Sequence, residues 1–220
     1  NGGIPTPAAI PDGFGGWELN PVGRAQNLPI IDNTPAEPGF DAWRATNVAA
    51  QKQAGYFMAT VRLNQGNLSG DQLRVIGNLA LRDGDGTVRF TIDQNMLLTF
   101  LPEANLKRVY ATLRAAGLAT ANAGEVEDVV SCPGAYSCNL ALTKSMNLGD
   151  ALAHALKSET DPLIRKMRVH ISGCPNSCGQ HWIGDFGFYG NARKIDGKEV
   201  PYYLMLLGGG FDETGAIKYG

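Results

Sequence analysis

Several features that this sequence lacks narrow the choice of protein class. No apolar run reaches the roughly 18 residues that a membrane-spanning helix needs. The net charge is only −2 over 220 residues, whereas a nucleic-acid-binding chain needs a basic excess. The Cys-x-x-Cys-His motif of covalently bound haem is missing, as is a Gly-x-Gly-x-x-Gly phosphate loop before a helix. With 44% hydrophobic and 18% charged residues, the chain is typical of a globular protein. We expect no nucleic-acid partner, no membrane partner and a cytoplasmic location.

The first part of the chain has little that favours regular structure. Residues 1–40 contain seven of the twelve prolines, which break helices and strands. An extended arm that lies over another surface and a disordered linker both fit this composition, although Trp17 and Leu19 favour the arm. The chain opens without Met and closes on Ile-Lys-Tyr-Gly. We therefore expect a fragment or a processed product, with partner segments outside this sequence.

Residues 41–118 show helix and strand signals in the order β-α-β-β-α, which predicts a ferredoxin-like α+β half-domain. The apolar periodicity and the capping signals define each element. The predicted elements are a strand at 56–63, a helix capped by Ser69, strands at 88–92 and 96–101, and a helix that starts at Pro102 and ends before Gly117.

Residues 119–220 have a different pattern, which predicts a second, α/β domain that is truncated in this sequence. The predicted elements are a strand near 129–130, a helix at 146–156, and strands at 167–171, 186–189 and 202–207. The strand at 167–171 runs directly into Gly173 and Cys174. Asp196-Gly197 supplies the turn signal between the last two strands.

The four cysteines fall into two short loops that contain proline. Cys132 and Cys138 are separated by five residues, and Cys174 and Cys178 by three. A cubane iron–sulfur cluster needs four thiolates in one small volume, and two loops with two thiolates each can supply them. Glycines beside the cysteines allow backbone N–H groups to approach the sulfides. The pattern favours one cluster bound by all four thiolates.

Other uses of the four thiols stay open at this point. Structural zinc prefers cysteine pairs two to four residues apart, which fits the second loop but not the wider first one. Disulfides would suit a secreted protein, but a three-residue loop that contains proline closes awkwardly. Four unrelated buried thiols are a further alternative.

The two cysteine loops resemble those of the sirohaem-dependent nitrite and sulfite reductases. The similar segments are Gly-Cys-Pro-Asn-Ser-Cys-Gly at 173–179, the first loop at 132–140, the strand at 88–95 that ends in Gln-Asn, and the glycine turn at 207–210. The resemblance covers the chain from Phe40 to Gly220. The first loop is slightly more similar to the ferredoxin-linked bacterial members than to the others.

The resemblance implies the cofactors and the fold of the second domain. It implies a [4Fe-4S] cluster bound by Cys132, Cys138, Cys174 and Cys178, next to a sirohaem. It further implies that Cys178 bridges the cluster to the sirohaem iron as its proximal ligand, and so is the catalytic residue. The fold class is then α+β, with a ferredoxin-like unit followed by an α/β domain that binds sirohaem and the cluster.

Three polar residues are candidate cofactor-binding groups on the same resemblance. Asn176 corresponds to a residue packed against the cluster and sirohaem, and it is also a good turn former. Gln94 and Asn95 either contact the macrocycle or make ordinary hydrogen bonds at the end of a strand.

Sirohaem carboxylates and anionic substrates call for basic side chains. The resemblance implies that the substrate-facing ones come from a homologous N-terminal half of the same polypeptide, which this sequence does not contain. Arg62 and Arg89 are expected to be vestigial counterparts or ordinary paired arginines. Five further residues could pair with sirohaem carboxylates, dock an acidic electron donor or simply be solvated: Lys144, Arg165, Lys166, Arg168 and Arg193.

The histidines show no metal-ligand spacing in the sequence. His170 and His181 either hydrogen-bond near the cofactor or are structural, and His154 lies on a predicted helix.

Three functions are consistent with these observations. The leading one is an oxidoreductase that reduces nitrite to ammonia or sulfite to sulfide with six electrons, supplied by ferredoxin or a similar donor. The fragment by itself is expected to be inactive. The alternatives are an enzyme similar to precorrin-3B synthase, and a non-catalytic electron-transfer module that binds a cluster or zinc.

Overall fold

The computed structural model describes residue 35 and residues 37–220. The arm or linker predicted over residues 1–40 therefore lies almost entirely outside the described residues. The described chain forms two compact units. The first comprises the described residues up to Arg62 together with 68–91 and 95–121, and the second comprises 63–67, 92–94 and 122–220.

The first unit is an antiparallel sheet with three helices. Its elements are α1 (Phe40–Asn47), β1 (Val48–Ala50), β2 (Tyr56–Val61), α2 (Gly70–Asp83), β3 (Val88–Phe90), β4 (Met96–Pro102) and α3 (Leu106–Ala115). The strand order is β1-β2-β4-β3, and each neighbouring pair is antiparallel. The predicted order β-α-β-β-α is confirmed, and α1 and β1 precede it.

Local signals explain where the elements of the first unit begin and end. Ser69 caps α2, because its hydroxyl accepts a hydrogen bond from the Gln72 N–H while the Gln72 side chain accepts one from the Ser69 N–H. The segment predicted as a helix from Pro102 starts as a turn of 3-10 helix, Glu103–Asn105, before α3. Gly117, two residues past α3, has a φ of +71°, which suits a glycine after a helix.

The core of the first unit lies between the sheet and its helices. The side chains that are at most 1% exposed include Ala59 and Val61 of β2, Met96 and Leu98 of β4, Ile76 and Leu79 of α2, and Val109 and Leu113 of α3. Trp43 of α1 is fully buried, and its ring lies 5.3 Å from that of Tyr110 in α3. Burial of an apolar face of each element stabilises the unit.

The second unit is a mixed sheet with a βαβ connection. Its elements are β5 (Val130–Ser131), α4 (Ser145–Leu156), α5 (Pro162–Arg165), β6 (Val169–Ser172), β7 (Phe186–Ile195), β8 (Lys198–Leu207), β9 (Gly210–Phe211) and β10 (Ile217–Lys218). The main sheet has the order β5-β6-β7-β8. The β5–β6 and β6–β7 pairs are parallel, and β7 and β8 form an antiparallel hairpin.

The Asp196-Gly197 turn predicted between the last two long strands is confirmed. Both residues have positive φ angles, +50° and +77°, as a tight hairpin turn requires. The hairpin strands extend well beyond the predicted strand segments on both sides of the turn. The short strands β9 and β10 pair with each other after the glycine turn.

The core of the second unit lies between α4 and one face of the sheet. Its fully packed centre is formed by Val126, Val129, Val169 and Ile171. Partly buried residues surround this centre, among them Leu148, Leu152 and Leu156 of α4, Phe186 and Phe188 of β7, and Tyr203 of β8. The described residues include no helix that is long and apolar enough to cross a membrane.

Candidate iron–sulfur site

Both cysteine loops begin where two neighbouring parallel strands end. Cys132 directly follows β5, and Cys174 lies two residues after β6. The register of the two strands pairs Ser131 with Ile171, and the Cys132 N–H donates to the Ile171 carbonyl oxygen at 3.1 Å. The carboxyl ends of parallel strands are the usual ligand-binding edge of such a sheet, so the fold itself brings the two loops together.

The peptide groups of Gly173 join the two loops. The Gly173 N–H donates to Sγ of Cys132 at 3.1 Å. The Gly173 carbonyl oxygen accepts hydrogen bonds from the N–H groups of Leu142 and Thr143, at 2.9 and 3.1 Å, and from the Thr143 hydroxyl at 3.2 Å. These contacts hold the second loop to the end of the first.

The Cys132 sulfur has the surroundings of a thiolate ligand. Besides the Gly173 N–H, the Ser145 hydroxyl oxygen lies 3.5 Å from Sγ and 2.7 Å from the Cys132 carbonyl oxygen. Because a hydroxyl has a single hydrogen, Ser145 donates either to that carbonyl or to the sulfur. Donors next to a cluster sulfur stabilise its negative charge and raise the reduction potential.

The first loop is tightly folded and needs a glycine at its second residue. Gly134 has a φ of +54°, and a side chain there would place Cβ 2.7 Å from the backbone nitrogen of Ser145. A turn of 3-10 helix, Gly134–Tyr136, follows. The Cys138 N–H then donates to the Gly134 carbonyl oxygen at 3.0 Å. This hydrogen bond closes the first loop between Gly134 and Cys138.

The second loop lies directly on β6. A Cβ atom on Gly179 would lie 2.7 Å from the Ile171 carbonyl carbon, so only glycine fits. Ser177 and Gln180, on either side of the Cys178-Gly179 pair, have φ angles of +60° and +58°. Such left-handed backbone at non-glycine residues is kept only where the surroundings enforce it.

Side chains of β6 help to hold the second loop in this left-handed conformation. The Ser172 hydroxyl accepts a hydrogen bond from the Gly179 N–H at 3.0 Å and lies 2.9 Å from Nδ1 of His181. His170 Nδ1 lies 3.0 Å from the Gly179 carbonyl oxygen. The His181 ring stacks on that of Tyr189 at 4.8 Å.

Both histidines are buried, and burial favours the neutral form of each ring. Burial lowers the pKa of His170 below its usual 6.5, and burial together with the neighbouring His170 lowers the pKa of His181 to about 4. Within residues 37–220, no hydrogen-bond partner is seen for the buried Nε2 atom of either ring. Each ring therefore has a hydrogen-bond partner at Nδ1, and the choice between a structural role and a role near the cofactor stays a prediction.

Gln94 holds the strand that leads into Cys132. Its side-chain oxygen accepts from the Ser131 N–H at 2.9 Å, and its side-chain nitrogen donates to the Ser131 carbonyl oxygen at 2.7 Å. The amide of Gln94 therefore satisfies both backbone polar groups of Ser131, as the backbone of a neighbouring strand would. This strand-end hydrogen bond is one of the two alternatives that the sequence left open for Gln94.

The other two candidate cofactor-binding residues lie in different surroundings. Asn176 is exposed in the turn between Cys174 and Cys178. Asn95 is buried in the first unit, where its N–H donates to the Thr91 hydroxyl at 3.0 Å. Their roles toward a macrocycle stay predictions.

Most of the basic residues that the sequence singled out have partners inside their own unit. In the first unit, Arg62 donates to the Ala121 carbonyl oxygen at 2.9 Å and Arg89 pairs with Asp85 at 3.1 Å. In the second unit, Arg165 pairs with Glu125, Arg168 lies over the Phe211 ring and Arg193 lies over the Tyr202 ring. Lys144 and Lys166 are exposed. Lys144 lines a cavity of about 270 Å³ beside the first loop, together with Pro133, Ala135, Tyr136, Met146 and Asn147.

The four thiols differ in their burial. Cys132 and Cys174 are 8% and 9% exposed, whereas Cys138 and Cys178 are exposed, and none of the four forms a disulfide. The described part of the chain contains no group of three or more His, Cys, Asp or Glu side chains close enough to hold a metal ion. The strand ends bring the two loops together, and the convergence of all four thiolates on one cluster stays a prediction.

The sequence interpretation missed three residues that shape the site: Thr143, Ser145 and Ser172. For Ser172 a signal was present, because residues 170 and 172 share one face of a strand with period two, two residues before Cys174. Thr143 and Ser145 act through the backbone of distant loop residues, and sequence spacing does not reveal such contacts.

Comparison with known proteins identifies both units. The protein-family model of the nitrite/sulfite reductase ferredoxin-like half domain matches residues 49–116. The model of the nitrite and sulphite reductase 4Fe-4S domain matches residues 123–218. The second match supports an iron–sulfur cluster in the second unit.

Curated relatives come from both branches of these enzymes. The chain is 34% identical over 193 residues to the ferredoxin–nitrite reductase of Synechococcus elongatus, an alignment that covers 87% of this chain and 38% of that protein. It is 30% identical over 188 residues to the ferredoxin sulfite reductase of Mycobacterium tuberculosis, covering 82% of this chain and 33% of that protein. The chain thus spans only about a third of the length of these relatives.

A solved structure supports the same assignment. The NirA protein of Mycobacterium tuberculosis superimposes with a TM-score of 0.65 at 27% identity, covering 78% of this chain and 32% of that one. The ferredoxin-like fold predicted from the sequence is confirmed by the family match and by this structure. Because the ferredoxin-like half domain and the 4Fe-4S domain are both matched, in that order along the sequence, the chain belongs to the nitrite and sulfite reductase family.

Proposed function

We propose that this chain is the C-terminal catalytic part of a six-electron reductase, which converts nitrite to ammonia or sulfite to sulfide. The observation that supports this most strongly is the position of the two cysteine loops. They follow adjacent parallel strands, and a backbone N–H of the second loop is aimed at the Cys132 sulfur. The relatives named as ferredoxin-dependent nitrite and sulfite reductases support the substrate class.

The residues present fit a [4Fe-4S] cluster. Cys132, Cys138, Cys174 and Cys178 would hold it through thiolates, which are the usual ligands of such clusters. The fit rests on the N–H donor at the Cys132 sulfur and on the crowded glycines of both loops, where any side chain would collide with the backbone. Zinc is less suited, because the first loop is wider than structural zinc sites prefer.

We propose sirohaem as the second cofactor, with Cys178 as the thiolate shared between the cluster and the sirohaem iron. When bound, the pair of centres supplies electrons to the anion one at a time. The protein's part is to fix Cys178. Its exposure, which it shares with Cys138, leaves the sulfur accessible to a group outside this unit, whereas Cys132 and Cys174 are buried.

Partners follow from the same proposal. We propose that ferredoxin or a similar protein donates the electrons, and that the N-terminal half of the same polypeptide supplies the basic residues that bind the anion. The arginines near the site already have partners in their own unit, which supports an outside source of positive charge. We expect the 220 residues alone to be inactive, and we propose a cytoplasmic location.

The test uses the full-length protein that contains this chain. Wild type, Cys178→Ser and Cys132→Ser are purified without oxygen, and sirohaem spectra, cluster signals and turnover of nitrite and of sulfite are measured. We expect Cys178→Ser to abolish coupling between the two centres and turnover, and Cys132→Ser to lose the cluster. Wild-type turnover in Cys178→Ser would contradict the proposal, and the substrate with the higher kcat/KM in wild type decides between nitrite and sulfite.

A further inference from the structure

The two faces of strand β6 contact different parts of the second unit. Val169 and Ile171 point into the core of the second unit and pack against residues of α4. His170 and Ser172 alternate with them and therefore lie on the opposite face. All four residues are at most 2% exposed, so this second face is also covered. What covers it is the loop that contains Cys178.

The residue directly after Cys178 is fixed at both of its backbone polar groups. The Gly179 N–H donates to the Ser172 hydroxyl at 3.0 Å, which sets the plane of the Cys178–Gly179 peptide. The Gly179 carbonyl oxygen lies 3.0 Å from His170 Nδ1. The backbone of Gly179 also touches the Ile171 carbonyl, as the 2.7 Å distance of a hypothetical Cβ to its carbon indicates. In the part of the chain that the structure describes, no side chain hydrogen-bonds to Cys178, so the fixed peptide that follows it sets its position.

The protonation of the network follows from elementary chemistry. A carbonyl oxygen only accepts hydrogen bonds, so His170 must have its hydrogen on Nδ1. The Ser172 hydroxyl accepts from Gly179, and its single hydrogen is available to Nδ1 of His181 at 2.9 Å. His181 is fully buried, and its ring stacks on Tyr189. It is therefore fixed in position as the hydrogen-bond partner of the Ser172 hydroxyl.

We propose that His170, Ser172 and His181 are positioning residues, which fix the Cys178–Gly179 peptide and thereby the direction of the Cys178 thiolate toward its iron. The inference rests on the proposed function, because it concerns the thiolate that this function assigns to both cofactors. Hydrogen bonds in the layer behind a metal ligand orient that ligand and tune its metal. None of the three side chains needs to touch substrate for this role.

The experiment removes and then restores single hydrogen bonds in the full-length protein. Ser172→Ala removes the acceptor for Gly179, and Ser172→Thr keeps a hydroxyl. His170→Leu removes the donor to the Gly179 carbonyl, and His170→Asn keeps an N–H donor near the position of Nδ1. The matched control is His154→Leu, at an exposed position of α4 in the same unit. Each variant is assayed for iron release to a chelator, for the electron paramagnetic resonance signal of the reduced cluster, and for kcat and KM.

We expect Ser172→Ala and His170→Leu to release iron faster and to lose kcat, each by about 10- to 100-fold, the usual effect of losing a partner behind a metal ligand. Their cluster signal should change, and KM for the anion should not, because the anion site lies elsewhere. Ser172→Thr, His170→Asn and His154→Leu should resemble wild type.

Wild-type iron release and cluster signal in both Ser172→Ala and His170→Leu would overturn the inference. If His170→Leu does not fold, Ser172→Ala decides alone, with the same two outcomes. If His170→Leu and His170→Asn lose the cluster equally, ring volume and not the hydrogen bond is what matters, and the inference is also overturned. Absence of labile sulfide from wild type would instead contradict the proposed function, whatever the variants do.

Discussion

Gly179 illustrates how a single residue type can be dictated by backbone contact. Its φ angle is not left-handed, and yet a Cβ atom would lie 2.7 Å from the Ile171 carbonyl carbon. We predict that Gly179→Ala lowers the free energy of unfolding by about 1–3 kcal/mol, the usual cost of overpacking. The matched control is Gly77→Ala in α2, where no atom of the described residues, apart from the chain neighbours and the helix's own backbone, lies within 4 Å of the new Cβ.

The control should behave in the opposite way. An alanine in the interior of a helix is more favourable than a glycine by about 0.5–1 kcal/mol, so Gly77→Ala should be neutral or stabilising. Urea unfolding followed by circular dichroism measures both. Equal stability of Gly179→Ala and wild type would mean that the second loop does not lie against β6 as described.

The buried histidines predict a pH dependence of stability. Burial lowers the pKa of His181 from 6.5 to about 4, so the unfolded chain binds a proton at a higher pH than the folded one. Stability from this group is therefore fully present above pH 6.5 and is lost as the pH falls from 6.5 towards 4. His170 shifts in the same direction, also mainly through burial.

Urea unfolding at several pH values, with reduced thiols, measures this dependence. His181→Phe keeps an aromatic ring and has no titrating group, so its stability should fall less steeply between pH 6.5 and 4 than that of wild type. The exposed His154→Phe variant is the control and should keep the wild-type slope. An identical slope in all three proteins would contradict the buried, neutral state of His181.

The candidate ligands could be predicted from the sequence, but their supports could not. The four cysteines stand out because their spacing alone restricts the chemistry. Gln94 was singled out, yet its contact with Ser131 depends on a residue 37 positions away. The hydrogen bonds of Ser145 and Ser172 to the two loops likewise depend on how β5, β6 and α4 pack. Sequence periodicity indicates which face a residue is on, not which loop covers that face.

Helix α2 is an element whose start was predicted and can be tested. Ser69 and Gln72 exchange hydrogen bonds with each other's backbone at 3.2 and 2.9 Å. We predict that Ser69→Ala destabilises the protein by about 1 kcal/mol, the typical cost of losing an N-cap. Ser69→Asp keeps a good cap and should stay close to wild type in urea unfolding, and equal loss in both variants would show that the cap is not what matters.

Elements with strong local signals were predicted, and short or context-dependent ones were missed. The βαββα order followed from clear periodicity and from residues such as Ser69 and Gly117. Helix α1 and strand β1 were missed because an eight-residue helix and a three-residue strand offer too few repeats for periodicity. Strands β7 and β8 were predicted too short, because their outer parts are polar and exposed and are kept in register by each other.

The whole chain combines two units that each match one part of the same family. The resemblance in the cysteine loops predicted this family, and the comparisons confirmed it. The chain spans 38% of its nitrite-reductase relative and 33% of its sulfite-reductase relative. The basic residues that we propose to neutralise the sirohaem carboxylates and the anion would lie in the part of such a protein that this chain does not span.

The central claim is that the two loops bind one cubane cluster through four thiolates. The most direct test is the content of acid-labile sulfide in the anaerobically purified full-length protein, because neither zinc nor sirohaem contributes sulfide. We predict about four sulfides per chain, as a [4Fe-4S] cluster contains, and their loss in the Cys132→Ser variant. A wild-type protein with one zinc and no labile sulfide would contradict it.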